Sequence, residues 1–110
     1  MDSHRWSLAG LVSALAIAAP ASAASDALWQ LQLRMQACID TTSPTACRSL
    51  AAQVQALPRN PAYAQASHLC KEEIDELSRV VALLPMRDAV ATDLMASVAD
   101  VQQACLPYGF

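Results

Sequence analysis

The sequence predicts an all-α protein: a small four-helix domain made of two disulfide-clamped helical hairpins. Three observations predict it. Apolar side chains recur at +3 and +4 spacing in four separate segments, the period of a single helix face. Beyond residue 23 the chain keeps one glycine, Gly109, together with abundant alanine and few, scattered β-branched residues, a composition that favours helix over strand. All four cysteines, Cys38, Cys47, Cys70 and Cys105, fall on those apolar stripes, so each faces the interior.

The first residues have a different character. Arg5 and the amino terminus give a weakly positive start, Trp6 to Ala19 is an apolar run of 14 residues, and Pro20-Ala21-Ser22-Ala23 closes it with small side chains. Ala21 and Ala23 make the A-x-A pattern of a secretory signal peptide, which predicts removal of residues 1–23 and one helical domain over residues 24–110. The apolar run falls short of the roughly 20 residues a membrane span needs. The expectation is therefore a periplasmic or secreted protein, with no membrane association after cleavage, in a compartment where thiols oxidise.

The first helix is predicted from Asp26, with Ser25 as its cap and Leu28, Leu31, Met35 and Cys38 on its buried face. Ser43-Pro44 starts the second, because the hydroxyl caps and proline has no N–H to leave unpaired at the first helical position; Cys47, Leu50, Val54 and Leu57 form its stripe. Asn60-Pro61 repeats that signature and predicts a third helix carrying Tyr63, Ala66, Cys70, Ile74, Leu77, Val81 and Leu84 over about six turns. Pro85 disfavours helical geometry at Leu84, so this helix should end near Leu83 and a fourth begin near Pro85, with Val90, Leu94, Val98, Val101 and Cys105 facing inward.

Four cysteines allow three pairings. Cys38 closes the first helix and Cys47 opens the second, so a bridge between them would clamp a hairpin. In one continuous helix Cys70 and Cys105 would stand about 52 Å apart, whereas a disulfide needs Cα atoms within about 7 Å. Reversal of the chain near Pro85 brings the two to a similar level. The predicted bridges are Cys38–Cys47 and Cys70–Cys105, and they suit a domain of 87 residues that buries a modest core.

After cleavage nine acids face six bases. That balance argues against nucleic acid or anionic membrane as a partner, since neither attracts a negative surface. It accommodates a basic protein partner and equally describes an ordinary solvated surface. His68, Glu72 and Asp75 at i, i+4 and i+7 could line up metal ligands, but Arg79 and Lys71 at helical spacing make the same stripe a solvated run of charge pairs away from the Cys70 face. A soft-metal site would need free thiols from the cysteines, and the chain has no C-x-x-C pair. Hydrolytic chemistry needs a histidine beside a nucleophile, and His68 alone is on offer without a G-x-S-x-G elbow. No catalytic, metal or cofactor-binding residue is assigned.

Glu73-Ile74-Asp75-Glu76-Leu77, followed by Leu83-Leu84 and Arg87, resembles part of the long first helix of the helical chorismate mutases over about 15 residues. The resemblance implies a small exported enzyme built on one long helix. Pro85 interrupts that helix and no lysine follows Lys71, so no site residue carries over.

Trp29, Leu33 and Ala37 form a second apolar stripe on the first helix at +4, +4. Such a stripe either packs a helix sandwiched in the core or meets a partner; tryptophan is enriched in binding hot spots. Tyr108 and Phe110 in the tail either cap the bundle or join that contact surface. The expected function is that of a small exported helical binding protein with a protein partner, of which an immunity protein or an inhibitor of a toxin or enzyme is the most concrete form. A homodimer is compatible with the same residues. A periplasmic metal-handling accessory and a chorismate-mutase-like enzyme are the alternatives. Mass analysis of the exported protein should return Ala24 as its first residue; retention of residues 1–23 on mature soluble protein would overturn both the location and the redox expectation.

Overall fold

The computed structural model describes residues 26–41 and 43–110, and these form four α-helices without a strand. The predicted leader, its cleavage point and the Ser25 cap lie outside the described residues. Helix α1 spans Asp26–Thr41, α2 Pro44–Ala56, α3 His68–Val81 and α4 Arg87–Cys105. Neighbours pack in chain order, α1 on α2, α2 on α3 and α3 on α4, and α4 closes the ring against α1. Each helix contributes one stripe to a common core. Leu31, Cys38, Leu50, Cys70, Leu77, Leu94, Val98, Val101 and Cys105 are wholly inaccessible there.

The helix starts show how local chemistry sets the boundaries. The Ser43 hydroxyl accepts from the Ala46 N–H at 3.5 Å with Pro44 in the first turn, as the sequence signature requires. Asn60-Pro61 behaves otherwise. The Asn60 side chain accepts from the Ala62 N–H at 2.9 Å, but the segment it caps is a 3₁₀ turn, Pro61–Gln65. The chain then extends through Ala66 and Ser67 (ψ 154° and 162°), and the Ser67 hydroxyl accepts from the Cys70 N–H at 3.1 Å to start α3. The long third helix expected from Pro61 is thus corrected to a 3₁₀ strap and a helix beginning at His68. Tyr63 and Ala66 still pack on the core, from the strap and not from the stripe of α3.

Pro85 acts where expected. α3 ends at Val81, Leu84–Met86 make a 3₁₀ turn around the proline, and α4 follows. The reversal lets Cys70 and Cys105 bond with their Cα atoms 4.9 Å apart, and Cys38 bonds Cys47 at 4.6 Å. Both bridges are the predicted ones. They sit at opposite ends of the bundle: Cys38–Cys47 beside the α1–α2 turn, Cys70–Cys105 where α3 begins and α4 finishes. All four cysteines are bonded.

Two glutamines fasten the end of the bundle where α1 starts, one within the first hairpin and one between the hairpins. The Gln53 side-chain amide donates to the Ala27 carbonyl at 2.9 Å, and that of Gln102 donates to the Leu28 carbonyl at 3.3 Å. They tie α2 and α4 to the first turn of α1. Beyond α4, a 3₁₀ turn over Leu106–Tyr108 leads to Gly109 at φ 82°, a left-handed conformation that a Cβ would penalise. This turn folds the tail back, and Phe110 enters the core with 2% of its surface exposed. Phe110→Ala should lower the unfolding free energy in denaturant by about 3–5 kcal/mol through the cavity it leaves, whereas a tail that merely rests on the surface would lose almost nothing.

Candidate interaction surface

The second stripe of α1 points outward. At about 100° per residue, Leu33 lies on the side of α1 opposite the buried Leu31–Met35 face, with Trp29 and Ala37 one turn on either side. Trp29 is 59% exposed and Leu33 44%. The sandwiched-core alternative for this stripe is therefore corrected: the stripe lies on the outside of the bundle. Trp29 and Leu33 come together there, but the two tail aromatics do not join them. Tyr108 is half-buried against the core and Phe110 is buried, so the Phe110 ring is not a contact residue for a partner; folding back through Gly109 buries it in the chain's own core.

Other large apolar side chains are exposed that periodicity did not single out. Leu69 and Leu106, both more than half exposed, adjoin Cys70 and Cys105, so the disulfide brings them to one end of the bundle. Met95 on α4 is 45% exposed. A lone exposed leucine or methionine carries no sequence signal, because only packing decides which flank of a helix stays open.

The polar face of α3 is a set of local pairs. His68 Nε2 lies 2.8 Å from Glu72 Oε1, and Arg79 reaches both Asp75 (2.9 Å) and Glu76 (3.0 Å). Bonding to Glu76, then to Asp75, raises the Arg79 guanidinium further above its ordinary range. All five side chains are largely in solvent, where such pairs add little to stability. The Lys71 ammonium stands 5.3 Å from the centre of the Tyr63 ring, tying α3 to the strap.

Among the described residues no three histidine, cysteine, aspartate or glutamate side chains come together as a metal set. The bonded sulfurs leave no thiolate to take a soft metal. Ser97 has a buried hydroxyl without a hydrogen-bond partner, and His68, the one histidine among the described residues, sits in solvent on the outer face of α3 paired with Glu72. A groove of about 180 Å³ between α2 and α3 is lined by apolar Val54, Pro58, Tyr63 and Ile74 and by polar Gln55, Asp75 and Ser78. It is smaller than the roughly 300–1,000 Å³ of typical small-molecule sites. No described helix is long and apolar enough to cross a membrane.

No protein-family model, curated protein or solved structure matches the chain. The helical-chorismate-mutase resemblance gains nothing from these comparisons, and the helix it needs stops at Val81.

The exposure of Trp29 fixes an expected result. Trp29→Ala should change the unfolding free energy of the isolated protein by no more than about 0.5 kcal/mol, as for surface positions generally. A loss of several kcal/mol in denaturant titration would place the ring in the core instead.

Proposed function

We propose that this chain is a small exported binding protein that acts by surface complementarity, without chemistry of its own. Its most concrete form is an immunity protein or inhibitor that neutralises a toxin or enzyme in the bacterial envelope. The observation that carries the reading is the outward stripe of α1, where Trp29 and Leu33 stand exposed on a helix whose other face is already satisfied by the core. A tryptophan left in water at that level is a poor choice for solubility and a good one for contact, since aromatic anchors dominate the energetics of protein interfaces.

Two further features support a protein partner. His68, Glu72, Asp75, Glu76 and Arg79 of α3 pair with one another, and the bonded cysteines and single solvent-facing histidine supply neither nucleophile nor metal set among the described residues. Two disulfides suit a small protein working in an oxidising environment. Rigid clamping also limits the ordering that binding would otherwise cost.

Affinity capture from the envelope of the native host tests the proposal, with wild-type chain and Trp29→Ala as matched baits. The expected outcome is one protein retained by the wild type and lost, by about 2 kcal/mol of binding or more, with the variant. Identical capture by both baits would remove α1 as the contact surface, and an enzyme activity of the purified chain would remove the reading altogether.

A further inference from the structure

The two disulfides differ in what can reach them. Cys38, Cys70 and Cys105 have no exposed surface, whereas Cys47 is only partly buried. Cys70–Cys105 is therefore closed to solvent at both ends, and Cys38–Cys47 at one. The surroundings of Cys47 are open as well: Asp40 and Thr41 at the end of α1, and Pro44, Thr45 and Arg48 at the start of α2, are all exposed.

Thiol–disulfide exchange begins when a thiolate attacks one of the two sulfurs, so its rate depends on access. At Cys70–Cys105 the attack must wait for the core to open, and opening a core costs close to the free energy of global unfolding. At Cys47 no such opening is required. Charge assists the same reaction. The Arg48 guanidinium donates to the Thr45 hydroxyl at 3.3 Å, which holds a cation on the turn that carries Cys47, and a neighbouring cation favours the thiolate form. Lys71 stands beside Cys70 in the same way, and both Cys47 and Cys70 lie in the first turn of a helix. Burial, not charge or helix position, separates the two bridges.

We propose that Cys38–Cys47 is an exchangeable bridge, reduced through Cys47 by a protein dithiol, while Cys70–Cys105 stays closed as the permanent staple. One thiolate of the dithiol bonds to Cys47 Sγ, and the bond to Cys38 Sγ breaks. The second thiol of the dithiol then attacks its own partner sulfur in the mixed disulfide and releases Cys47. Two electrons pass from the dithiol, which ends as a disulfide, to the bridge, and the two protons of the dithiol end on Cys38 and Cys47. The structural consequence is local. Gln53 and Gln102 still hold the start of α1, and Cys70–Cys105 still joins α3 to α4. Reduction frees only the last turn of α1 and the first turn of α2. The inference is independent of what the outer stripe of α1 binds.

Timed treatment of the exported, oxidised protein with dithiothreitol, without denaturant, followed by thiol alkylation and peptide mapping, tests it. Cys38 and Cys47 should be alkylated together, about a hundredfold or more faster than Cys70 and Cys105, whose reaction waits on opening. Urea below the unfolding transition should leave the first rate nearly unchanged and raise the second. A C-x-x-C oxidoreductase that lacks its second cysteine should be trapped on Cys47. In the singly reduced protein, amide hydrogen exchange should rise around residues 38–47 and stay slow in α3 and α4. Equal rates for the two bridges, earlier opening of Cys70–Cys105, or no reduction before the urea transition would each overturn the proposal. So would an oxidoreductase trapped on Cys38, or loss of amide protection throughout the bundle after the first reduction.

Discussion

Everything in this molecule depends on where the chain is pinned. The helices are 13 to 19 residues long, a length at which isolated helices are marginal in water. Their stability must come from packing one apolar stripe each into a shared core, and a chain this small has little core to share. The disulfides remove the competing open arrangements. Cys38–Cys47 closes a short loop and fixes the first hairpin; Cys70–Cys105 closes a longer one, and its effect is correspondingly larger in the chain-entropy account. The sulfurs double as core atoms, so the same four residues are staple and packing.

Once α3 and α4 are stapled at their far ends, the rest of that end follows. Ser67 must begin α3 where Cys70 can reach Cys105, so the chain arriving from α2 is taken up in 3₁₀ turns that lay Leu57, Tyr63 and Ala66 on the core. The tail leaving Cys105 turns at Gly109 and seats Phe110 in the same core. Gln53 and Gln102 then fasten the first turn of α1 to its two neighbours. The outer side of α1 is left with nothing to pack against, which is why Trp29 and Leu33 remain in solvent.

The helix count, the buried stripes and the disulfide pairing were legible in the sequence because period and cysteine placement are direct consequences of helix geometry. The Pro85 reversal was legible for a similar reason: proline restricts its predecessor whatever the surroundings. The start of α3 was not. Asn60-Pro61 and Ser67 are both competent caps, and only tertiary placement of Cys70 decides that the first starts a 3₁₀ turn and the second the helix. The fate of Trp29 was half legible. Its displacement from the core stripe could be read, but whether a second stripe meets another helix or water depends on how many neighbours α1 has. Phe110 carried no periodic signal at all, since its burial depends on one left-handed glycine. Met95 and Leu106 escaped notice because only packing decides which flank of a helix stays open.

The account stands or falls on the disulfides as the constraint that makes four short helices one domain. Their combined contribution, about 3 kcal/mol from the shorter loop and nearer 4 from the longer, is comparable with the whole stability of about 4–13 kcal/mol expected at this size. The direct measurement is urea unfolding, followed by far-ultraviolet circular dichroism, of residues 24–110 with the disulfides intact and after full reduction and thiol blocking. The account predicts a cooperative transition for the oxidised protein and, for the reduced one, a transition moved to far lower urea or lost, with much of the helix gone at 25 °C. A reduced chain that keeps its helix content and unfolds at the same urea concentration would show that the core suffices without the staples.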